Sequence, residues 1–188
     1  DRLWQALEYL VRERFYADHG LIWGATTVDW GDVQPEHEWG VELDASSHRA
    51  CDIYDNAMFL VAFRDMGFLD RRSNPPAAYP RCLEARRRII EGVRRHLWDA
   101  TRQKFIPHVY LAGSPFPADF DEGAIWYHGG TAVAIEARLL SPEEVRSSLA
   151  AMRENVKRAG AASIGLTVYP PYPDGLFRNK GMGAWSYQ

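Results

Sequence analysis

The apolar positions of this chain fall into five helical patterns separated by long aperiodic stretches. Over residues 2–16, Leu3, Leu7, Leu10, Val11 and Phe15 form one stripe with Arg2, Glu8, Arg12 and Arg14 off it, the spacing of an amphipathic helix laid over a core. Ser46 or Ser47 is placed to N-cap a second helix that runs to about Met66, with Gly67 as its left-handed stop. Its stretch from Ala57 to Phe63 is apolar all round, the mark of a helix buried on every side. Asn74-Pro75-Pro76 opens a third helix over about 77–100, with Leu83, Ile90, Val93 and Leu97 as its stripe and six arginines, from Arg81 to Arg95, on its solvated face. A short strand is expected within 105–111, and a fourth helix, small and apolar and containing Gly129-Gly130, over about 121–140. Ser141-Pro142-Glu143-Glu144 is a capping box with Pro at the first helical position; it starts a fifth helix with Val145, Leu149, Met152 and Val156 inward and Gly160 as its stop.

Taken in order these helices are amphipathic, buried, amphipathic, buried, amphipathic. The alternation predicts an all-α fold, a single domain over 1–188 built of helical hairpins in two concentric layers. Three long segments, 17–45, 101–120 and 161–188, each follow an amphipathic helix, so antiparallel stacking gathers them at one end. Connections of that length and aromatic content are functional far more often than idle.

Composition narrows the function classes. The chain has 188 residues, is 46% apolar and carries a formal net charge of −3, with no basic footprint for nucleic acid. No run reaches the roughly 20 apolar residues that cross a bilayer, so a soluble domain with no membrane partner is expected. The two cysteines, Cys51 and Cys82, have neither disulfide-framework nor metal-ligand spacing and read as isolated buried thiols; no metal and no cofactor is expected.

The candidate chemistry sits in the long segments. Between Asp29 and Asp44 there are six acids and no Lys or Arg, interleaved with Trp30 and Trp39 and preceded by Trp23. Acids beside indole faces suit a sugar cleft, where a pyranose stacks its apolar face on the ring and its hydroxyls donate to carboxylates. Asp52, Asp55 and Asn56 share one helix face at i, i+3 and i+4. The second segment adds Trp126, Tyr127 and His128 beside Glu122, and the third adds Tyr169 and Lys180. The predicted site comprises Asp55, Asp32 and Asp29 as catalytic candidates and Trp23, Trp30, Glu36, Trp39, Asp52, Asn56, Trp126, Tyr127, His128, Tyr169 and Lys180 as substrate-binding ones.

The helix order, the loop Val28-Asp29-Trp30-Gly31-Asp32-Val33-Gln34-Pro35-Glu36, the run Asp52-Ile53-Tyr54-Asp55-Asn56-Ala57 and the closing Tyr169-to-Gly175 and Lys180-to-Gly183 segments together resemble the six-hairpin glycosidases. These are α/α toroids that include glycogen-debranching amylo-glucosidases, trehalases and processing α-glucosidases. The resemblance implies an inverting glycoside hydrolase acting on a glucoside or oligosaccharide, with Asp55 of the Asp55-Asn56 pair matching the relatives' general acid. It also implies about half of a twelve-helix ring. A half ring leaves apolar helix flanks uncovered, so the remainder of the same polypeptide or a homo-oligomer partner is expected to cover them. A sugar epimerase or polysaccharide lyase on a similar toroid, or a non-catalytic glycan-binding or structural module, would fit the same residues.

Overall fold

A computed structural model describes residues 2–31, 33–39, 42–73, 80–162 and 165–178. It overturns the all-α expectation and with it the α/α-toroid assignment: five α-helices share the described residues with nine short strands in four antiparallel sheets. Helix α1 (Arg2–Glu13) leads into the hairpin of β1 (Phe15–Tyr16) and β2 (Leu21–Ile22), followed by β3 (Gly24–Ala25) and β4 (Arg49–Asp52). Next come α2 (Ile53–Ser73) and α3 (Pro80–Gly92), which passes into a π-helical turn at Val93–Leu97. Strands β5 (Trp98–Asp99), β6 (Lys104–Phe105) and β7 (His108–Tyr110) precede a 3-10 turn at Glu122–Ala124 and β8 (Trp126–Tyr127). Helices α4 (His128–Glu136) and α5 (Pro142–Ala159) and strand β9 (Val168–Tyr169) complete the order. A strand expected within 105–111 is present as β7; the others escape the sequence because they are mostly two residues long, too short to display a period of two.

The largest sheet is β3-β4-β7, with Ala50 opposite both Gly24 and Tyr110. Because β4 occupies Arg49–Asp52, α2 begins at Ile53 and neither Ser46 nor Ser47 caps it; Asp52 does so instead, its Oδ1 accepting the backbone N–H of Asp55 at 2.8 Å. Gly67 lies inside α2 rather than ending it. The expectation of burial on every side fails in part, since Met58 is exposed while Ala57, Phe59 and Leu60 are buried. The fourth helix is likewise shorter than expected: residues before His128 are extended or 3-10, and β8 pairs with β9. The opening of the third helix at Asn74-Pro75-Pro76 lies outside the described residues.

The expected helix stripes hold at Leu7, Val93 and Leu97, which are buried, and fail at Leu3 and Leu83. In α1 the buried residues are Trp4 and Leu7, with Leu3 at 61% exposure; in α3 they are Cys82, Ala85 and Ile89, with Leu83 at 57%. At those two positions the leucine yields to an adjacent residue whose shape fits the neighbour. Small Cys82 and Ala85 admit close approach, and Trp4 meets Phe63 of α2 edge-on with ring centroids 5.8 Å apart. α2 packs along α4, and α1 along α3. The principal core joins Trp4, Leu21, Ile53, Phe59, Ile89 and Leu97; a second, smaller one under the loops joins Val28, Val33, Phe116, Ile125, Val168 and Tyr172. Both cysteines are buried and unbonded, and burial pushes the Cys51 thiol up to about 12.

Helix α5 begins and ends as its sequence dictates. Ser141 Oγ accepts the Glu144 N–H at 3.2 Å, Glu144 Oε2 accepts the Ser141 N–H at 2.8 Å, and Gly160 closes the helix at φ +66°. Ser141→Ala removes the acceptor and should lower stability by about 1 kcal/mol, a fall in Tm of roughly 2–4 °C for a chain of this size. Thermal unfolding followed by circular dichroism checks it.

Candidate functional site

Asp29 organises one end of the molecule. Its residue is 3% exposed, and its carboxylate accepts the backbone N–H of Gly129 through Oδ2 and of Gly130 through Oδ1, both at 2.6 Å. Those donors belong to the first turn of α4, where helix N–H groups lack intrahelical partners and the helix dipole favours negative charge. The two glycines are needed for the approach: a Cβ on Gly129 would stand 2.6 Å from Trp30 Cδ1 and 2.8 Å from Asp29 Oδ2, and one on Gly130 would stand 2.5 Å from Ile53 Cγ2. Asp29 itself holds φ +52°, the left-handed region that an Asp tolerates better than most residues. Burial pushes its carboxyl up to about 7 against the opposing pull of the Gly130 and Gly129 N–H groups.

Two more carboxyls stand beside it at the start of α2. Asp52 is 2% exposed, and burial, then the charges of Asp55 and Asp29, hold it well above the usual carboxylate range. Asp55, one turn on, is exposed and faces Gly24, where a Cβ would lie 3.0 Å from its Oδ2. Asp29 and Asp55 both line a cleft of about 670 Å³ whose walls include Trp23, Trp30, Tyr54 and, toward α1, Leu7, Tyr9 and Leu10. Trp30 is 53% exposed there, an open indole beside two acids.

The remaining sequence candidates lie elsewhere. Asn56 is buried and spends its amide on backbone, accepting from Ile22 N–H at 2.8 Å and donating to the carbonyls of Ile22 at 2.9 Å and Asp52 at 2.7 Å. Glu36 pairs with His48 and accepts its N–H at 3.1 Å; Trp39 is 64% exposed but does not line the cleft. Trp126 and Tyr169 face each other across β8 and β9, and the Tyr127 hydroxyl lies 3.1 Å from the Thr27 carbonyl and 2.8 Å from the Tyr172 hydroxyl, sharing its one proton between them. His128 is buried, its Nε2 accepting from the Asn155 amide at 3.1 Å, and burial lowers it to about 4, so it is neutral and turned toward α5. Asp32 and Lys180 lie outside the described residues.

A second polar assembly escaped the sequence reading. Glu122 accepts from Tyr172 at 2.7 Å and from Tyr110 at 2.9 Å and meets His108 Nδ1 at 2.8 Å, with its carboxyl held below the usual range by His108 and the two phenols despite its burial. It ties β7, the 3-10 turn and the Tyr172 loop together. Nothing local in the sequence marks it, because its members run from His108 to Tyr172, 64 residues apart along the chain. The Gly129-Gly130 pair, by contrast, carried a signal: paired glycines in an apolar helix invite a close approach. Among the described residues no group of three His, Cys, Asp or Glu is arranged to hold a metal ion, and no helix is long and apolar enough to cross a membrane.

Comparison with known proteins finds no match: no family model, no curated protein and no solved structure is similar to the chain.

Three measurements test the seat of Asp29 and the buried His128. Carbon-13 NMR of Asp29 should give a carboxyl midpoint near 7, three units above an ordinary Asp; Gly130→Ala, which forces a methyl against Ile53 and the carboxylate, should destabilise the fold by about 1–3 kcal/mol. For His128, a folded pKa of about 4 against an unfolded 6.5 means that its stabilising contribution is full above pH 6.5 and is lost as pH falls toward 4. The stability difference between the wild type and His128→Gln should shrink by about 3 kcal/mol over that interval, read from urea unfolding at each pH.

Proposed function

We propose that this chain provides a carbohydrate-processing site that hydrolyses a glycosidic bond in a glucoside or related oligosaccharide. One observation carries the reading: an open, aromatic-walled cleft has on its lining an exposed carboxylate, Asp55, together with a buried carboxyl, Asp29, raised to about 7. Two carboxyls in environments that push their protonation apart are what acid–base cleavage of an acetal requires. Asp29, protonated in about half the molecules at pH 7, gives its proton to the departing glycosidic oxygen. Asp55, open to solvent, takes a proton from the attacking water. Each Asp29 oxygen keeps a lone pair after accepting one N–H, so the donor that fixes the group does not exhaust it. Trp30 and Tyr54 supply faces on which a pyranose stacks, and the apolar wall from α1 suits the sugar's C–H surfaces.

Asp52 has a different part in this scheme. Buried and capping α2, it does not line the cleft; it sets the first turn from which Asp55 projects.

The decisive experiment is turnover of a panel of α- and β-linked 4-nitrophenyl glycosides and gluco-oligosaccharides, in water enriched in oxygen-18. Hydrolysis places solvent oxygen in the reducing sugar. Unchanged mass would indicate epimerisation, an unsaturated product lysis, and sugar binding without turnover a glycan-binding module. Asp55→Asn should lower kcat by about 10²–10⁴-fold while leaving the unfolding midpoint nearly unchanged, because the residue is exposed. The rate should fall as pH rises through 7, where Asp29 loses its proton.

A further inference from the structure

Resting on the carbohydrate reading of the cleft, we infer that its substrate carries an anionic group, a carboxylate or sulfate ester on the sugar, which Arg14 and Arg49 receive beside Trp23. The cleft opens at Trp23 into a neighbouring hollow of about 440 Å³, and the two share Tyr9, Arg14, Trp23 and Leu43. Arg14 and Arg49 both line the hollow, and their guanidinium carbons stand 4.6 and 4.7 Å from the centroid of the same indole. The two positive charges therefore lie within about a Debye length of one another.

Neither guanidinium has a carboxylate of a described residue within ion-pairing distance. Elsewhere the chain commonly matches guanidinium to carboxylate: Arg87 holds Glu84 and Glu91, Arg94 holds Glu144, and Arg64 holds Asp65 and Glu136. Arg14 and Arg49 form no ion pair with any described residue. Two acids line the same hollow and are held by other partners: Glu13 bonds Arg12 at 2.6 Å, and Asp44 accepts from the Ser46 N–H at 2.7 Å and its hydroxyl at 2.8 Å. Glu42 lines the cleft rather than the hollow.

An arginine lying over an indole keeps its in-plane N–H groups for other acceptors, and a guanidinium fork matches the two oxygens of a carboxylate or sulfate. Trp23 thus acts less as a sugar platform than as the floor on which two forks are held. A ligand with its ring against Trp30 and Tyr54 and its anionic group at Trp23 uses both ends of the cleft, and the acids at the first end and the arginines at the second discriminate its orientation.

The test is binding, measured apart from turnover. Glucuronic acid, glucose 6-sulfate and glucose are titrated against the protein by calorimetry at low and at high salt. The expected result is that one or both anions bind about ten- to a hundredfold more tightly than glucose, that the preference weakens with salt, and that Arg14→Gln and Arg49→Gln each reduce it while Arg49→Lys retains part. Glucuronic acid alone identifies a carboxylate ligand, and the sulfate alone a sulfated one. Equal affinity for all three sugars, no binding of either anion, or an anion preference unchanged in both glutamine variants overturns the inference. Turnover of neutral glycosides with equal affinities would leave the hydrolytic reading standing and remove only this one; tight anion binding without turnover of neutral or anionic 4-nitrophenyl glycosides would do the reverse.

Discussion

The carboxylate of Asp29 on the N–H groups of Gly129 and Gly130 is the constraint on which this end of the molecule depends. It joins positions 100 and 101 residues apart and satisfies donors that α4 cannot satisfy for itself. A charged group in so buried a place would ordinarily be excluded, and the helix terminus is what makes it tolerable. The balance between burial and the helix leaves the carboxyl poised near neutrality instead of fixed in either form. The same contact sets Trp30 against α4 and fixes the floor of the cleft, so acid, aromatic face and helix end are one unit.

Around that unit the polar groups divide by what they hold. Asn56 uses its amide to staple β2 to α2, Asp52 caps α2, and His128 faces Asn155 on α5. Each is buried and each serves the fold. Asp55, Trp30 and Tyr54 instead line the cleft. Glu122 with His108, Tyr110 and Tyr172 makes a second buried assembly that binds the later loops to the sheet β3-β4-β7. Two polar clusters therefore do for the loops what the apolar clusters do for the helices.

The helices were legible where a local code governs them and not where tertiary shape decides. Ser141, Pro142, Glu144 and Gly160 delimit α5 through neighbours three or four residues away, and the structure follows them. Leu3 and Leu83 appeared to be core positions because hydropathy cannot tell which of two adjacent stripes faces a neighbour; Trp4 and Cys82 take that place through fit. The fold class was misread for a related reason. Strands such as Gly24–Ala25 and Trp126–Tyr127 exist because distant segments lie alongside them, and two residues carry no pattern of their own. At the site, the acids and indoles of the 23–39 segment announced themselves by composition. That Asp29 and Asp55 meet in one cleft, while Glu36 and His128 do not, follows from the long-range contacts of Asp29 and could not be read from spacing.

The span of the Asp29 contact also bears on how the molecule assembles. The β1–β2 and β5–β6 hairpins close over a few residues, whereas the Asp29–Gly130 link must draw together ends 101 residues apart. The entropy of closing such a span exceeds that of a hairpin of about five residues by roughly 3 kcal/mol. By this cost local hairpins and helices are cheaper to close than the cleft floor, which exists only in chains that have made contacts of that range. Partly folded molecules carry all the same acids and indoles with none of them in register, which makes the protonation of one aspartate a late signature of the native state.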